Sequence, residues 1–299
     1  KTKLNSNVVI RDGGAAFVGM YGEIDSSKIT GEVRLRYKDF NSLHANLKVD
    51  KINLDAYFEK NNQSEDIIKK YNLNIFSFDE VNIDIAFDKF LISKNEYNDI
   101  KLLGLYQNNV LKIDELSISN FAKGNLSLSG NIDYNSKATI YDLAINLNHN
   151  DFEQFYSFYN LPKYFQDILT GKGKIAFIAK GELNNLFSNL KFDTDRLNII
   201  YEGDLNLKNF SLAGYSGKIN LKINNLNKFL SLSSKTNLIE EANIFSDILM
   251  KNNKLNIKNI DFKSAAYKYN GDIYINYVKE DNIIFDIDLF TNIISVSDI

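Results

Sequence analysis

The chain has 299 residues, a formal net charge of −3, 44% hydrophobic residues and 13% aromatics. That apolar content excludes a disordered acidic or basic tail, and near-neutral charge without a basic stripe argues against nucleic acid as a partner. The absence of cysteine excludes disulfides and thiolate chemistry. No apolar run approaches the ~18 residues that span a bilayer, and no charged-then-apolar leader heads the numbering. The chain opens at Lys1-Thr2-Lys3 in mid-pattern and ends at Ile299 in mid-strand, so a longer protein with an anchor or signal upstream is expected. One proline among many Asn, Ile and Lys residues fits an AT-rich genome, and single Asn or Lys residues therefore carry little weight.

The first segment, to about Tyr57, reads as strands: Val8-Val9-Ile10, a Gly13-Gly14 turn, and Gly31-Glu-Val-Arg-Leu-Arg-Tyr. Leu43, Ala45, Leu47 and Val49 then alternate with His44, Asn46 and Lys48, and Ile52, Leu54 and Ala56 close the segment. Successive side chains of a strand point to opposite faces, so period-two spacing gives one apolar and one wet face. After the Asn61-Asn62-Gln63 break, Ser64 can cap a short helix over 64–71. Its first turn holds Glu65-Asp66 and its last Lys69-Lys70, which complements the helix dipole.

From Phe78 to Tyr134 the alternation is at its clearest. Val81, Ile83, Ile85 and Phe87 are apolar at odd positions, and the pattern returns in 111–114, 116–119 and 126–129. Asn108-Asn109, Asn120 and Lys123-Gly124-Asn125 supply turns. This is an antiparallel meander, and it continues through Leu143, Ile145 and Leu147. Asp151 opens a different segment, where Phe152, Phe155, Tyr156 and Tyr159 form a helical stripe. Pro162 suits the first turn of a second helix, with Gly171 as its C-cap. The pair is expected over 152–170, plugging one edge of the sheet.

Strands resume at Ile175-Phe177-Ala179, Leu205-Leu207 and Ile219-Leu221-Ile223. A short helix or loop at Phe229-Leu230 leads to Leu238–Met250, whose spacing satisfies helix and strand alike. Leu255-Ile257, Ile273-Ile275 and 283–289 complete the chain, and no linker divides it. A signature of glycine, polar, aliphatic, any residue, then aliphatic or aromatic begins at Gly31, Gly130, Gly173, Gly217 and Gly271, with Asp79 filling the same slot without glycine. The steps are 48, 51, 43, 44 and 54 residues, and a period of ~40–50 residues marks repeat arrays. Each signature is expected to open a strand. The fold class expected is mostly β: an elongated antiparallel curled sheet, an open groove of repeated units starting near 31, 79, 130, 173, 217 and 271, with a few short helices.

No motif carries chemistry. His44 and His149 are the only histidines, and both are expected to be solvated. The Asp84/Asp88 and Asp286/Asp288 pairs fall on wet faces. Ser77-Phe-Asp-Glu80 matches a capping box but precedes a period-two run. Phosphate-cradling glycine patterns are missing, and the Asn125-Leu-Ser127 and Asn209-Phe-Ser211 sequons are expected by chance. The chain is therefore expected to be no enzyme and to need no metal or cofactor. One apolar surface is expected from Val81, Ile83, Ile85, Phe87, Leu126, Leu128, Ile132, Leu143, Ile145, Leu147, Ile175, Phe177, Leu205, Leu207, Ile219, Leu221, Ile223, Ile273 and Ile275. Asn82, Asp84, Ser127 and Asn146 should lie opposite.

Leu47-Lys-Val-Asp-Lys-Ile-Asn-Leu-Asp-Ala-Tyr57 resembles the L-x-x-D-x-L-x-L-D-A-Y phrase of the AsmA family. Phe78–Tyr134, ending in the Gly124 to Gly130 stretch, resembles the meander that follows it in those proteins. Asp151–Leu186, with Gly171 and Gly181, is similar to the next block. The likeness covers Leu47 to Asn189 well and the rest more loosely. The Asn/Ile/Lys bias departs from the family's Leu/Gly/Arg wording, so the wider AsmA and TamB-like group is the level of the resemblance. It implies a periplasmic β groove of a Gram-negative envelope, held in the inner membrane by a segment outside this chain. Such a groove carries phospholipid toward the outer membrane, with outer-membrane assembly proteins as further partners. The alternative is a structural or assembly factor whose sheet edge templates other β proteins by strand addition.

Overall fold

The computed structural model describes residues 2–24, 26–53, 55, 77–92, 95–121, 123–152, 171–208, 211–224, 241–251, 254–264, 268–279 and 282–291. The helices expected over 64–71 and from Pro162, and the Phe229-Leu230 segment, lie outside these residues. Of the first aromatic helix only the start, to Phe152, lies within them. The chain is mostly β and divides into two units, Lys1–Thr139 and Ile140–Ile299.

The first unit holds β1 (Thr2–Arg11), β2 (Gly14–Ile24), β3 (Ser27–Arg36), β4 (Ser42–Asn53), β5 (Glu80–Ile92), β6 (Asn95–Gln107), β7 (Val110–Phe121) and β8 (Gly124–Asp133). Each strand pairs with the next in the chain. All these pairings are antiparallel except β4–β5, which is parallel with Leu43, Ala45, Leu47 and Val49 beside Val81, Ile83, Ile85 and Phe87. This corrects the expectation of an antiparallel sheet throughout. A parallel neighbour must be reached by a crossover rather than a hairpin, and residues 54–79 make that connection.

The second unit holds β9 (Ile140–His149), β10 (Gly173–Glu182), β11 (Asn185–Thr194), β12 (Leu197–Lys208), β13 (Ser211–Ile223), β14 (Ala242–Lys251), β15 (Lys254–Ser264), β16 (Lys268–Lys279) and β17 (Asn282–Thr291). They pair antiparallel in chain order. The ambiguous 238–250 stretch contributes β14, a strand with partners on both sides. Spacing alone could not decide this, because helix and strand share the i, i+4 match; two neighbouring strands decide it.

Several strands change phase where two apolar residues are separated by a pair of residues instead of one. In β2 (Phe17 to Met20), β7 (Ile113 to Leu116) and β15 (Ile257 to Ile260) the step of three coincides with a shift of register. One extra residue keeps both apolar runs on the same face, which is what a β-bulge does. The glycines of the repeat signature face these shifts: Gly31 pairs with Met20, Gly130 with Ile113 and Gly271 with Ile260. They therefore lie inside strands rather than opening them. Only Gly173 begins a strand.

Two further glycines show how the sheet bends within the second unit. Gly203 and Gly217 are paired with each other, and a Cβ on Gly203 would meet the Ser216 carbonyl oxygen at 2.2 Å. In a flat sheet side chains stand clear of the neighbouring backbone. Here the sheet folds over the face to which that Cβ would point, and only glycine leaves room. Tyr201 and Leu205 lie on that same face of β12.

The buried cluster of the second unit forms at one end of these strands. It comprises Phe152, Phe192, Leu197, Ile223 and Ala242, with Ile175, Ile199, Leu221, Ile244 and Phe262 against it. The Phe152 ring meets Phe192 edge-on at 5.6 Å and lies over Gly173, where a Cβ would come 2.1 Å from the ring. Phe152 also donates its backbone N–H to the Gly171 carbonyl at 2.8 Å.

Candidate functional site: an apolar sheet face in each unit

Residues directly opposite on neighbouring strands share a face, so the register assembles rows of side chains across each sheet. In the first unit Leu43, Val81, Tyr106, Leu111 and Ile132 form one such row. Leu47, Ile85, Leu102, Leu116 and Leu128 form another. Ala45, Ile83, Gly104, Ile113 and Gly130 run between them, and Phe87 beside Ile100 and Leu126 beside Ile118 complete the face.

The second unit repeats the design. Leu147, Ile175, Phe192, Ile199, Leu221, Ile244 and Phe262 form one row. Ile145, Phe177, Leu190, Tyr201 and Ile219 form the next. Leu143, Ala179, Ser188, Gly203, Gly217, Ile248, Ile257 and Ile273 make a third, with small residues at the bend. Leu186, Leu205, Tyr215, Met250, Leu255 and Ile275 make the last. Leu207 follows Leu205 on the same side of β12, and Ile223 follows Leu221 on β13.

These rows contain no charged side chain, and the polar atoms of Tyr201 and Ser188 are turned into the sheet. The Tyr201 hydroxyl donates to the carbonyl oxygens of Asp204 and Ser216, both at 3.1 Å, and Ser188 Oγ donates to the Gly203 carbonyl at 3.1 Å. Burial raises the Tyr201 pKa, its largest influence. A hydrogen-bonded tyrosine or serine presents carbon rather than an open polar group, so the faces are effectively apolar.

They are not sealed. Of the nineteen candidate residues, Val81, Leu147 and Ile223 are buried, while the other sixteen are half-buried. The register brings the first-unit candidates together on one face and the second-unit candidates together on one face. Strand β6, which the sequence reading did not single out, supplies Ile100, Leu102 and Tyr106. Its apolar residues change parity between Tyr97 and Ile100, next to Asp99 at φ 48°, and no single alternation runs through it.

The opposite faces carry the charged side chains, together with the exposed Ile178, Phe187, Phe245 and Leu249 in the second unit. Asn82 and Asp84 lie beside His44 and Asn46, Ser127 beside Ser117, and Asn146 beside Ala176. Lys101 donates to Glu115 at 2.7 Å, and Lys48–Asp88 and Lys180–Asp142 approach to 3.3 and 3.2 Å. The Lys101 hydrogen bond holds the Glu115 carboxyl below its ordinary range. Such exposed pairs contribute little stability. Among the described residues no group of His, Cys, Asp or Glu could hold a metal ion, and no helix is long and apolar enough to cross a membrane.

The histidines differ from each other. His44 is half-buried on the polar face, and its Nε2 lies 3.1 Å from Glu80 Oε1, a partner 36 positions away that crossover pairing brings near. His149 was expected in solvent but is only 3% exposed. Its Nδ1 accepts the Asp151 backbone N–H at 3.0 Å, and its ring lies 5.4 Å from that of Phe152. The turn-like Asn148-His149-Asn150 context gave no sign that Phe152 would fold back over it. His149→Ala should therefore destabilise the chain by about 1–3 kcal/mol through lost packing and an orphaned N–H. His44→Ala should change the denaturation midpoint little. Paired chemical-denaturation curves check both, and equal effects would remove the distinction.

No protein-family model matches the chain, and no curated protein or solved structure is significantly similar to it.

Proposed function

We propose that the chain binds and conducts the acyl chains of phospholipid along its apolar sheet faces. The setting is the periplasm of a Gram-negative bacterium, between inner and outer membrane, with an anchor outside this chain, as the AsmA resemblance implies. The observation that carries the reading is the set of charge-free apolar rows, in which sixteen of the nineteen candidate residues stay half-buried rather than sealed.

A diacyl lipid has ~30 methylenes, each costing ~0.8 kcal/mol in water. Its tails need a dry surface throughout any aqueous crossing. A sheet face of Ile, Leu, Val and Phe supplies one without chemistry, and large apolar surfaces left uncovered mark binding sites. The opposite, charged face keeps the sheet in water.

The purified chain should carry phospholipid in native mass spectrometry, and delipidated protein should regain it from vesicles. Protein that stays empty in both experiments would overturn the reading. A second reading, strand addition to outer-membrane β proteins, draws on the exposed apolar edge of β1.

A further inference from the structure

Exposed large apolar side chains gather where each unit's sheet has an outer strand paired on one side. β1 pairs with β2 alone and β17 with β16 alone among the described residues. On β1, Val8 is 52% and Ile10 73% exposed; on β17, Ile287 is 56% and Leu289 51% exposed. Both strands have ten residues, without proline. Long, flat, apolar edges attract further strands, and proteins usually blunt them with charge, bulges or cover. The edge of β17 in particular carries no lysine.

We propose that β17 of one copy pairs antiparallel with β1 of a second copy, head to tail. Two observations select this partner. The first is charge: β1 carries Lys3 and Arg11 and no acid, whereas β17 carries Asp286 and Asp288 and no base. The second is facing. Val8 and Ile10 stand beside Phe17 and Ala15 on the apolar face, and Ile287 and Leu289 beside Ile273 and Gly271 on theirs. Arg11 and Asp286 fall on the polar faces. An antiparallel register that sets Val8 against Leu289 also sets Ile10 against Ile287 and Arg11 against Asp286. On the apolar face Val8 and Ile10 then meet Leu289 and Ile287, and on the other face Arg11 meets Asp286, with Val9 beside Asp288 and Asn7 beside Phe290. Like strands would fail: β1 on β1 apposes cations and β17 on β17 apposes carboxylates, which is unfavourable across a sheet. Because the two patches differ, the contact is heterologous and adds copies in series.

The chain contains no cysteine, so engineered thiols report without background. Val8→Cys and Leu289→Cys are made in separate chains and mixed under mild oxidation. Directly opposed strand residues lie within disulfide reach, and a covalent heterodimer should be the main product. Val9→Cys mixed with Leu289→Cys places the thiols on opposite faces and should give little. Sedimentation of the unmodified chain should show association rising with concentration. Arg11→Asp should weaken it several-fold, and Arg11→Asp combined with Asp286→Arg should restore it. Melting curves establish that each variant folds. A monomer at every concentration would overturn the proposal, as would an intrachain disulfide in a chain carrying both Val8→Cys and Leu289→Cys, or capture of an unfolded outer-membrane hairpin by protein that does not self-associate. The inference stands apart from the lipid reading: Arg11→Asp should still retain phospholipid, so loss of association and loss of lipid are separate results.

Discussion

Ile85→Asp should leave the chain folded and strip it of lipid. Ile85 stands between Leu47 and Leu102 on the apolar face of the first unit, and it is half-buried. A carboxylate there interrupts the dry surface that acyl chains require, at a cost of several kcal/mol for an unpaired charge removed from water. The position still reaches solvent when no lipid is bound, so part of that cost is relieved and folding should survive. Leu128→Asp, on the same row, should behave alike. Val81 gives the contrast within the same strand and face. It is 1% exposed, and Val81→Asp should unfold the protein, as uncompensated buried charges do. Asp84→Ile, on the polar face, is the control and should alter neither property much. Melting temperature and bound lipid are the two measurements. An Ile85→Asp protein that melts like the parent and still holds lipid would remove this position from the path, and one that fails to fold would make the face a closed core.

Phe152→Ala should produce the largest loss of stability from a single truncation, about 3–5 kcal/mol for a buried aromatic. The ring is 1% exposed, fills the space above Gly173 and closes the cluster with Phe192 and His149. No small shift of the strands refills that volume, because β10 and β11 are held in register along their whole length. The denaturation midpoint should fall accordingly, and far-UV circular dichroism should remain that of a β protein below the transition. An unchanged midpoint would mean that the ring is dispensable to the cluster.

Much of this architecture was legible because a strand exposes its logic at period two. Val81 to Phe87, Leu143 to Leu147 and Ile219 to Ile223 announced both their strands and their faces. Parity put Leu126 with Leu128 and Ile85 with Phe87 on one face of their own strands, and the register joins the two pairs across β6 and β7. Less legible were the places where the period breaks. The step from Ile113 to Leu116 reads as two short runs, yet a bulge joins them into one strand. The signature glycines looked like strand openings, because glycine ends regular structure in isolation; opposite a bulge it instead lets two backbones approach.

By itself, then, the sequence determined which side chains of a strand share its apolar face: alternation is a local property, set by backbone geometry within each strand. It also determined that the faces are free of charge and that the chain lacks cysteine. Only the tertiary structure decided that β4 and β5 run parallel, that Leu238–Met250 yields a strand, and that His149 is buried under Phe152 while His44 meets Glu80. Each of these depends on contacts between residues distant in the chain. A helix–strand ambiguity is settled by the neighbours that accept its hydrogen bonds, and a histidine's surroundings by whatever ring folds over it, neither of which local spacing encodes.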